Sequence, residues 1–157
     1  LKPRMARSGL SNVHPACISN ENDLRVKRLS GKIDRVLVDA PCSGLGTLRR
    51  NPDLKWRQTP QGVAELTRKQ RDILAGAARL VKPGGRLVYA TCSMLAEENE
   101  AVVDAFLAVH ADFHRLNALE LLAQQSIVIS GDGPDMRLLP HVHGSDGFYA
   151  AVLERVK

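Results

Sequence analysis

The sequence predicts an α/β domain built around a pair of parallel strands, and three observations lead to this class. Two apolar runs rich in β-branched residues, 33–39 and 86–91, are each followed closely by a Cys-Ser pair. Between them, apolar residues recur at helical spacing from Val63 to Val81. Because a helical crossover makes the strands that it joins parallel, both Cys-Ser pairs should emerge at one edge of the sheet.

The first strand opens onto a cluster of reactive residues. Pro41 and Gly44 cannot continue a central strand, so Asp39 and Cys42 should lie just past its carboxyl end. Ligands bind at this edge in open α/β sheets. The convergence of two free thiols and an acid at such an edge is the main indication of function.

The composition is that of one domain in a reducing compartment. The chain has 157 residues, 44% of them hydrophobic and 25% charged, which suffices for a single core. It shows no apolar run long enough for a membrane span and no apolar segment of a secretion signal at its start, so we expect a cytoplasmic protein. Cys17, Cys42 and Cys92 form no C-x-x-C pair, which argues against a zinc knuckle or a disulfide framework. Cys17 is typical of a small buried core residue.

A basic loop follows the first Cys-Ser pair. The net charge of +5 favours a polyanionic partner, although a solvated basic surface gives the same balance. Cations can hold phosphates while an indole ring stacks on an unpaired base, so residues 45–57 predict binding to single-stranded RNA. The predicted RNA contacts are Arg49, Arg50, Lys55, Trp56 and Arg57. A structural role, with Trp56 filling the core, stays open.

Three segments are weakly patterned. Residues 2–7 are typical of the last turns of a helix, with Gly9 as its C-cap. Residues 13–18 predict a strand that Pro15 weakens. Residues 116–133 predict a surface excursion between regular elements.

Other elements have clearer boundaries. Thr59 as N-cap and Pro60 in the first turn begin the helix that connects the two strands. Lys82–Gly85 predicts a turn before the second strand. Residues 137–141 and 147–153 predict an antiparallel pair that closes the sheet.

Acidic residues crowd the first turn of the helix that follows the second Cys-Ser pair. Glu97, Glu98 and Glu100 would complement the helix dipole there, so structure alone explains them. His110 and His114 are four residues apart, but the helix should end between them. We therefore expect no metal site.

Six short motifs give the chain a family resemblance, because they occur together in one order. They are residues 39–44, 46–52, 82–85, 91–93, 97–100 and 146–151. In this arrangement the sequence closely resembles the Nop/Sun family of RNA 5-methylcytosine methyltransferases. Within that family it is most similar to bacterial members that act on small-subunit ribosomal RNA.

The resemblance implies a fold and a reaction. The fold is the Rossmann-like fold of class I S-adenosylmethionine-dependent methyltransferases, a mostly parallel sheet with a reversed last strand. The reaction is methylation of cytosine carbon 5 in RNA, small-subunit ribosomal RNA in particular, through a covalent cysteine-cytosine adduct. Cys92 matches the thiol that adds to carbon 6, and Cys42 matches the thiol that helps to break the adduct. Asp39 matches the acid that contacts the cytosine ring.

The resemblance also implies S-adenosylmethionine as the cofactor. Asp39, Ala40 and Pro41 match residues that line it, and Asn20 is our candidate for the residue that faces the adenosine. The Gly-rich turn and the ribose acid of the family have no counterpart before Asp39. We therefore expect residues 1–157 to be the C-terminal portion of a single catalytic domain that lacks its first two strands. Alone, this chain should bind the cofactor weakly and be inactive.

Two other functions fit parts of the sequence. A catalytically inactive RNA-binding module would need the basic loop and no reactive thiol. A thiol redox protein would use both cysteines, although Cys42 and Cys92 belong to separate strands and not to a C-x-x-C turn. No metal or membrane partner is expected in any of these cases.

Overall fold

The computed structural model describes residues 2–157. In chain order the elements are α1 (Lys2–Ser8), α2 (Leu24–Lys27), β1 (Ile33–Asp39), α3 (Leu54–Arg57), α4 (Pro60–Ala78), β2 (Val81–Thr91), α5 (Glu100–Val109), β3 (Phe113–Leu116), α6 (Ala118–Ala123), β4 (Met136–Leu138), α7 (Pro140–His143) and β5 (Phe148–Arg155). Short 3-10 turns, Leu45–Thr47 and Ala96–Glu98, precede α3 and α5. The predicted order of strand, helix and strand is present as β1, α4 and β2.

The strands form one sheet in the order β1-β2-β5-β3, with β4 also paired to β5. β1 and β2 are parallel, which confirms the predicted crossover. β5 runs antiparallel to β2, β3 and β4, so the reversed last strand and the antiparallel closing pair are also confirmed. The sheet within residues 2–157 is mixed, because all its pairings except β1-β2 involve this reversed strand.

One face of the sheet carries the core. Alternate side chains of the central strands point towards α4 and α5 and are buried there. The buried cluster includes Val38, Leu74, Leu87, Tyr89, Val102, Val103, Phe106, Tyr149 and Leu153. This packing holds α4 and the start of α5 against the strand ends that carry the two Cys-Ser pairs.

The boundaries of α4 are the predicted ones, and the beginning of β2 is not. The Thr59 hydroxyl accepts a hydrogen bond from the Gly62 amide at 3.1 Å, and Pro60 is the first helical residue. In β2, Val81 already pairs with Ile33, and the next pair joins Arg86 to Arg35. Lys82–Gly85 therefore bulges out of a strand that has already begun, where a turn before the strand was predicted.

The segment before β1 corrects two predictions. Residues 13–18 form no strand, and Val13 and Ile18 are exposed. A strand needs a ladder partner, and the part of the chain that the structure describes supplies none to this segment. Cys17 is exposed, so the prediction of a buried core thiol is also wrong. The helix that ends before Gly9 is confirmed as α1, with Gly9 at a φ of +67°.

Two further segments differ in detail from the prediction. The surface excursion over residues 116–133 contains α6, whose N-cap Asn117 accepts with its side chain from the Leu119 and Glu120 amides. His110 stacks on Phe106 with ring centroids 4.0 Å apart. His114 lies on β3. Residues 2–157 contain no cluster of three potential metal-ligating side chains, and none of their helices is long and apolar enough to cross a membrane.

Candidate active site

The two strand ends bring Cys42 and Cys92 together. β1 and β2 stay in register to their carboxyl ends, where the Ala40 amide donates to the Ala90 carbonyl at 2.9 Å. The Cys42 and Cys92 Sγ atoms lie 3.5 Å apart, although the residues are separated by 50 positions in the chain. Both thiols are partly exposed, so a substrate can reach them.

The environment of the two thiols differs. Burial, together with the neighbouring Cys92, raises the pKa of Cys42 to about 12, against backbone hydrogen bonds that lower it. Two thiols this close cannot both ionise easily, because their charges repel each other. Cys42 therefore keeps its proton near neutral pH.

The main chain around Cys92 is packed too tightly for any side chain at Gly46. The Gly46 amide donates to the Cys92 carbonyl at 2.8 Å, and the Gly46 carbonyl accepts from the Gly147 amide at 2.8 Å. A Cβ atom at Gly46 would collide with the carbonyl oxygens of both Cys92 and Gly147. The loop after β1 and the start of β5 thus hold the end of β2 from opposite sides.

Glu98 is a buried residue of the site that the sequence did not reveal. Its side chain was expected to complement a helix dipole, but it is 0% exposed and points to the two Cys-Ser pairs. One carboxylate oxygen accepts from the Ser43 amide at 2.8 Å and from Gln70 Nε2 at 3.0 Å. The other accepts from the Ser43 hydroxyl at 2.5 Å and from the Ser93 hydroxyl. The only hint in the sequence was that both strands end in Cys-Ser.

Asn99 completes the hydrogen bonding around Cys92. Its carbonyl oxygen accepts from the Thr91 hydroxyl at 2.6 Å, and its amide donates to the Ser93 carbonyl at 3.1 Å. The Tyr89 hydroxyl donates to the Glu98 carbonyl at 2.6 Å. Burial and the nearby Glu98 charge raise the pKa of Tyr89, which keeps this donor protonated.

The three residues that follow one another at the end of β1 differ in solvent exposure. Asp39 is exposed at the end of β1, and its side chain makes no hydrogen bond to any residue in the 2–157 range. Ala40 is buried, while Pro41 is exposed and its carbonyl accepts from Gln70 Nε2 at 2.9 Å. A cavity of about 270 Å³ lies beside β1 and is lined by Asp39 together with apolar residues that include Ile18.

The structure does not bring Asn20 into this cavity. Asn20 lines a separate surface depression, where its side chain accepts from the Asn22 amide at 2.8 Å. Glu21, the next residue, lines the cavity beside Asp39 instead. An acid and an apolar wall fit part of a nucleoside-bearing cofactor, and Glu21 is the acid of the 19–23 segment that is placed to meet it.

The cations of the basic loop are exposed, and three of them also bond to other residues of the protein. Arg50 Nε lies 2.7 Å from an Asp146 carboxylate oxygen, and Arg49 donates to the Gly144 carbonyl at 2.7 Å. Arg57 pairs with Asp53 at 2.7 Å. These three cations thus have protein partners, which sequence separation concealed for Arg49 and Arg50.

Trp56 does not fill the core. It is 80% exposed, with Lys55 Nζ 4.6 Å from its ring centroid. An exposed indole beside a cation is suited to stacking on an unpaired base. The structural role that stayed open for Trp56 is therefore excluded.

A cleft of about 670 Å³ lies between the first half of α4 and the segment that leads into α5. Its residues are Gln58, Thr59, Pro60, Val63, Ala64, Thr67, Arg68, Arg71, Leu95, Glu97 and Ala101. Gln58 donates to the Ser43 carbonyl at 2.7 Å, and the Leu95 amide donates to the Ser93 hydroxyl at 3.1 Å. The cleft wall is thus bonded to the residue that follows each thiol.

Comparisons with known proteins agree with one another. The family model described as 16S rRNA methyltransferase RsmB/F matches residues 4–154. The chain is 47% identical over 123 residues to a probable ribosomal RNA small subunit methyltransferase B from Synechocystis, covering 78% of this chain and 27% of that protein. It is 41% identical over 124 residues to a similarly named Bacillus subtilis protein, covering 79% of this chain and 28% of the relative.

A solved structure shares the fold. The crystal structure of NSun6 from Pyrococcus horikoshii with SFG superposes with a TM-score of 0.79 at 30% sequence identity. The match covers 99% of this chain and 38% of the NSun6 chain. The present chain therefore spans between a quarter and two fifths of the proteins that it matches here.

Proposed function

The chain belongs to the 16S rRNA methyltransferase RsmB/F family, and from that premise we propose that it carries the reactive part of an RNA cytosine-5 methyltransferase. The observation that supports this reaction is the pair of thiols at the strand ends, 3.5 Å apart and partly exposed. The share of each relative that it covers supports placing residues 1–157 inside a larger catalytic domain.

Cys92 is the proposed nucleophile. Cytosine carbon 5 is a poor nucleophile, and a thiolate that adds to carbon 6 forms an S–C6 bond and leaves carbon 5 enamine-like. S-adenosylmethionine, the methyl donor of this family, supplies an electrophilic methyl group. Once carbon 5 is methylated, loss of its proton restores the C5–C6 double bond and expels the Cys92 thiolate.

Cys42 is the proposed partner in breaking the adduct. Its raised pKa, about 12, keeps the Cys42 thiol protonated beside Cys92, and a neutral donor favours the ionised neighbour. A group 3.5 Å from the leaving sulfur is also placed to assist elimination. Cys42 thus acts after addition, while Cys92 makes the bond.

Asp39 has the exposure that contact with a substrate or cofactor requires. Its carboxylate is free to accept hydrogen bonds at the edge of the 270 Å³ cavity, where an apolar wall can pack against a flat ring. We propose that Asp39, with the main chain of Ala40 and Pro41, holds the cofactor and the cytosine ring between β1 and the thiols. Glu21 takes the place that the sequence suggested for Asn20.

RNA would approach the thiols across the basic loop and the cleft. Arg68 and Arg71 are exposed cations beside an apolar floor, and no ion pair within residues 2–157 involves either. Lys55 and Trp56 offer a charge and a stacking surface. Arg49, Arg50 and Arg57 would add weaker contacts, because carboxylates already share their charge. Ribosomal RNA of the small subunit is the substrate that the names of the relatives favour.

The two thiols can be distinguished by covalent trapping. Full-length protein carrying Cys92→Ser or Cys42→Ser is incubated with S-adenosylmethionine and a substrate RNA, and the products are separated on a denaturing gel. Cys92→Ser should give neither methylation nor a slow-migrating complex, because a hydroxyl is far less ionised than a thiol. Cys42→Ser should accumulate the complex, because addition proceeds and elimination does not.

The control is Cys17→Ser, which replaces the exposed third thiol outside both Cys-Ser pairs and should behave as the unmodified protein. A complex from Cys92→Ser and none from Cys42→Ser would reverse the assignment. Methylation that survives Cys92→Ser would refute the covalent route. If the unmodified full-length protein binds the RNA but transfers no methyl group to it, the alternative of an inactive RNA-binding module would be supported.

A further inference from the structure

The proposed reaction requires two thiols at a fixed separation, yet within residues 2–157 neither thiol is hydrogen-bonded to any side chain except the other thiol. The residues on both sides of each thiol are held instead. Next to Cys92, the hydroxyls of Thr91 and Ser93 donate to Asn99 and Glu98. Next to Cys42, the Pro41 carbonyl accepts from Gln70.

Ser43, on the other side of Cys42, has its amide, its hydroxyl and its carbonyl all hydrogen-bonded. Its amide and its hydroxyl both donate to Glu98, at 2.8 Å and 2.5 Å, and its carbonyl accepts from Gln58. The Ser43 and Ser93 hydroxyl oxygens are themselves 3.2 Å apart. The two serines therefore meet at one carboxylate, just as the two cysteines before them meet at their sulfurs.

Glu98 also accepts from Gln70 of α4, but no further role is evident for its charge. It is fully buried, and no Lys, Arg or His of residues 2–157 forms a salt bridge with it. It lies in the 3-10 turn that ends before α5 begins, so its side chain does not cap that helix. A carboxylate buried without a cation is costly, and such a group calls for a functional explanation.

From this geometry we infer that Glu98 is a positioning residue: its carboxylate joins Ser43 to Ser93 and thereby sets the distance between Cys42 and Cys92. The acceptor-only chemistry of a carboxylate matters, because all its neighbours here are donors. A glutamine at this position would present an NH₂ group to at least one of them. The expected effect of Glu98 on catalysis rests on the proposed function. Its expected effect on the distance between the two thiols does not.

The geometric consequence is tested first, on this chain and without any substrate. A fluorogenic reagent with two alkylating arms emits only after it has bridged two nearby thiols. The variants are Glu98→Gln, Ser43→Ala and Ser93→Ala in a Cys17→Ser background, with Glu65→Gln as the matched control. Glu65 is an exposed acid on α4 whose only side-chain hydrogen bond within residues 2–157 is with Gln61. Bridging should fall several-fold in the three site variants and stay unchanged in the control.

The catalytic consequence is tested in the full-length protein. Loss of thiol alignment should lower kcat about ten-fold or more in Glu98→Gln while the KM for RNA changes less than two-fold, because RNA-binding groups are untouched. Thermal melting of each variant shows whether it is folded, and so separates loss of thiol alignment from loss of the fold. If Glu98→Gln does not fold, the milder Ser43→Ala and Ser93→Ala variants decide the question.

The possible outcomes are distinguishable. Folded Glu98→Gln or serine variants with unchanged bridging and unchanged kcat would overturn the inference. A rise in the KM for RNA of about ten-fold with kcat unchanged would also overturn the inference, since that result assigns Glu98 to RNA binding. Methylation that persists in Cys92→Ser would sink the proposed function alone, and the bridging result would still decide whether Glu98 positions the thiols.

Discussion

At the scale of single residues, the proposed division of tasks between the two thiols depends on the protonation state of Cys42. Burial keeps the proton on Cys42, whose pKa is raised to about 12. The thiolate is the nucleophilic form of cysteine, so a protonated Cys42 is consistent with the proposed role of Cys92 as the nucleophile.

This protonation state predicts unequal alkylation. At pH 8, iodoacetamide should modify Cys42 at least about ten-fold more slowly than the exposed Cys17, because a raised pKa lowers the thiolate fraction. The Cys42 rate should climb as the pH approaches 12, since only then does its thiolate accumulate. Mass spectrometry of peptides from a time course measures all three thiols at once. A Cys42 rate equal to that of Cys17 at pH 8 would show that Cys42 does not hold its proton.

At the scale of elements, α4 connects the core to the proposed RNA surface. One side of the helix buries Leu74 and Gln70, and the other side lines the cleft with Arg68 and Arg71. Two residues of the cleft, Gln58 and Leu95, are hydrogen-bonded to Ser43 and Ser93, the residues that follow the thiols. An RNA strand lying there would contact Gln58 and Leu95, which are bonded to Ser43 and Ser93.

The Arg68→Ala, Arg71→Ala double variant should weaken binding of single-stranded RNA and flatten its dependence on salt. Each lost phosphate contact reduces the slope of log K against log [salt] by about 0.7 for a single strand. Lys69→Ala is the matched control, because Lys69 is an exposed cation of the same helix outside the cleft. Fluorescence anisotropy between low and moderate salt measures both. Equal slopes for the double variant and the control would assign the cleft to something other than RNA.

The same elements show what sequence can and cannot predict. The period of α4 and its Thr59 cap are local, and the parallel pair follows from the crossover, so these features and the meeting of the thiols were predictable. The burial of Glu98 was not, because it lies in a single 3-10 turn with no period and its partner Ser43 is 55 positions away. The strand over residues 13–18 failed because strand formation depends on a partner that no local pattern specifies.

At the scale of the whole molecule, the sheet is covered unequally. The face towards α4 and α5 is buried, whereas an apolar row crosses the other face on adjacent strands. Leu37 of β1 lies opposite Val88 of β2, and Val88 lies opposite Val152 of β5. β1 is also an edge of the sheet, and Leu37 at this edge is 68% exposed. Exposed apolar edge strands promote association between chains.

This chain should therefore self-associate through β1 as its concentration rises, and Leu37→Lys should weaken that association. A charge at an edge strand opposes pairing with a second chain, and removal of an exposed leucine leaves the buried face intact. Val142→Lys is the control, because Val142 is a 54% exposed apolar residue on α7, away from the sheet edge. Sedimentation velocity over a range of concentrations gives the association constant of each variant. If both lysines weaken association equally, or neither does, the edge of β1 is not the contact.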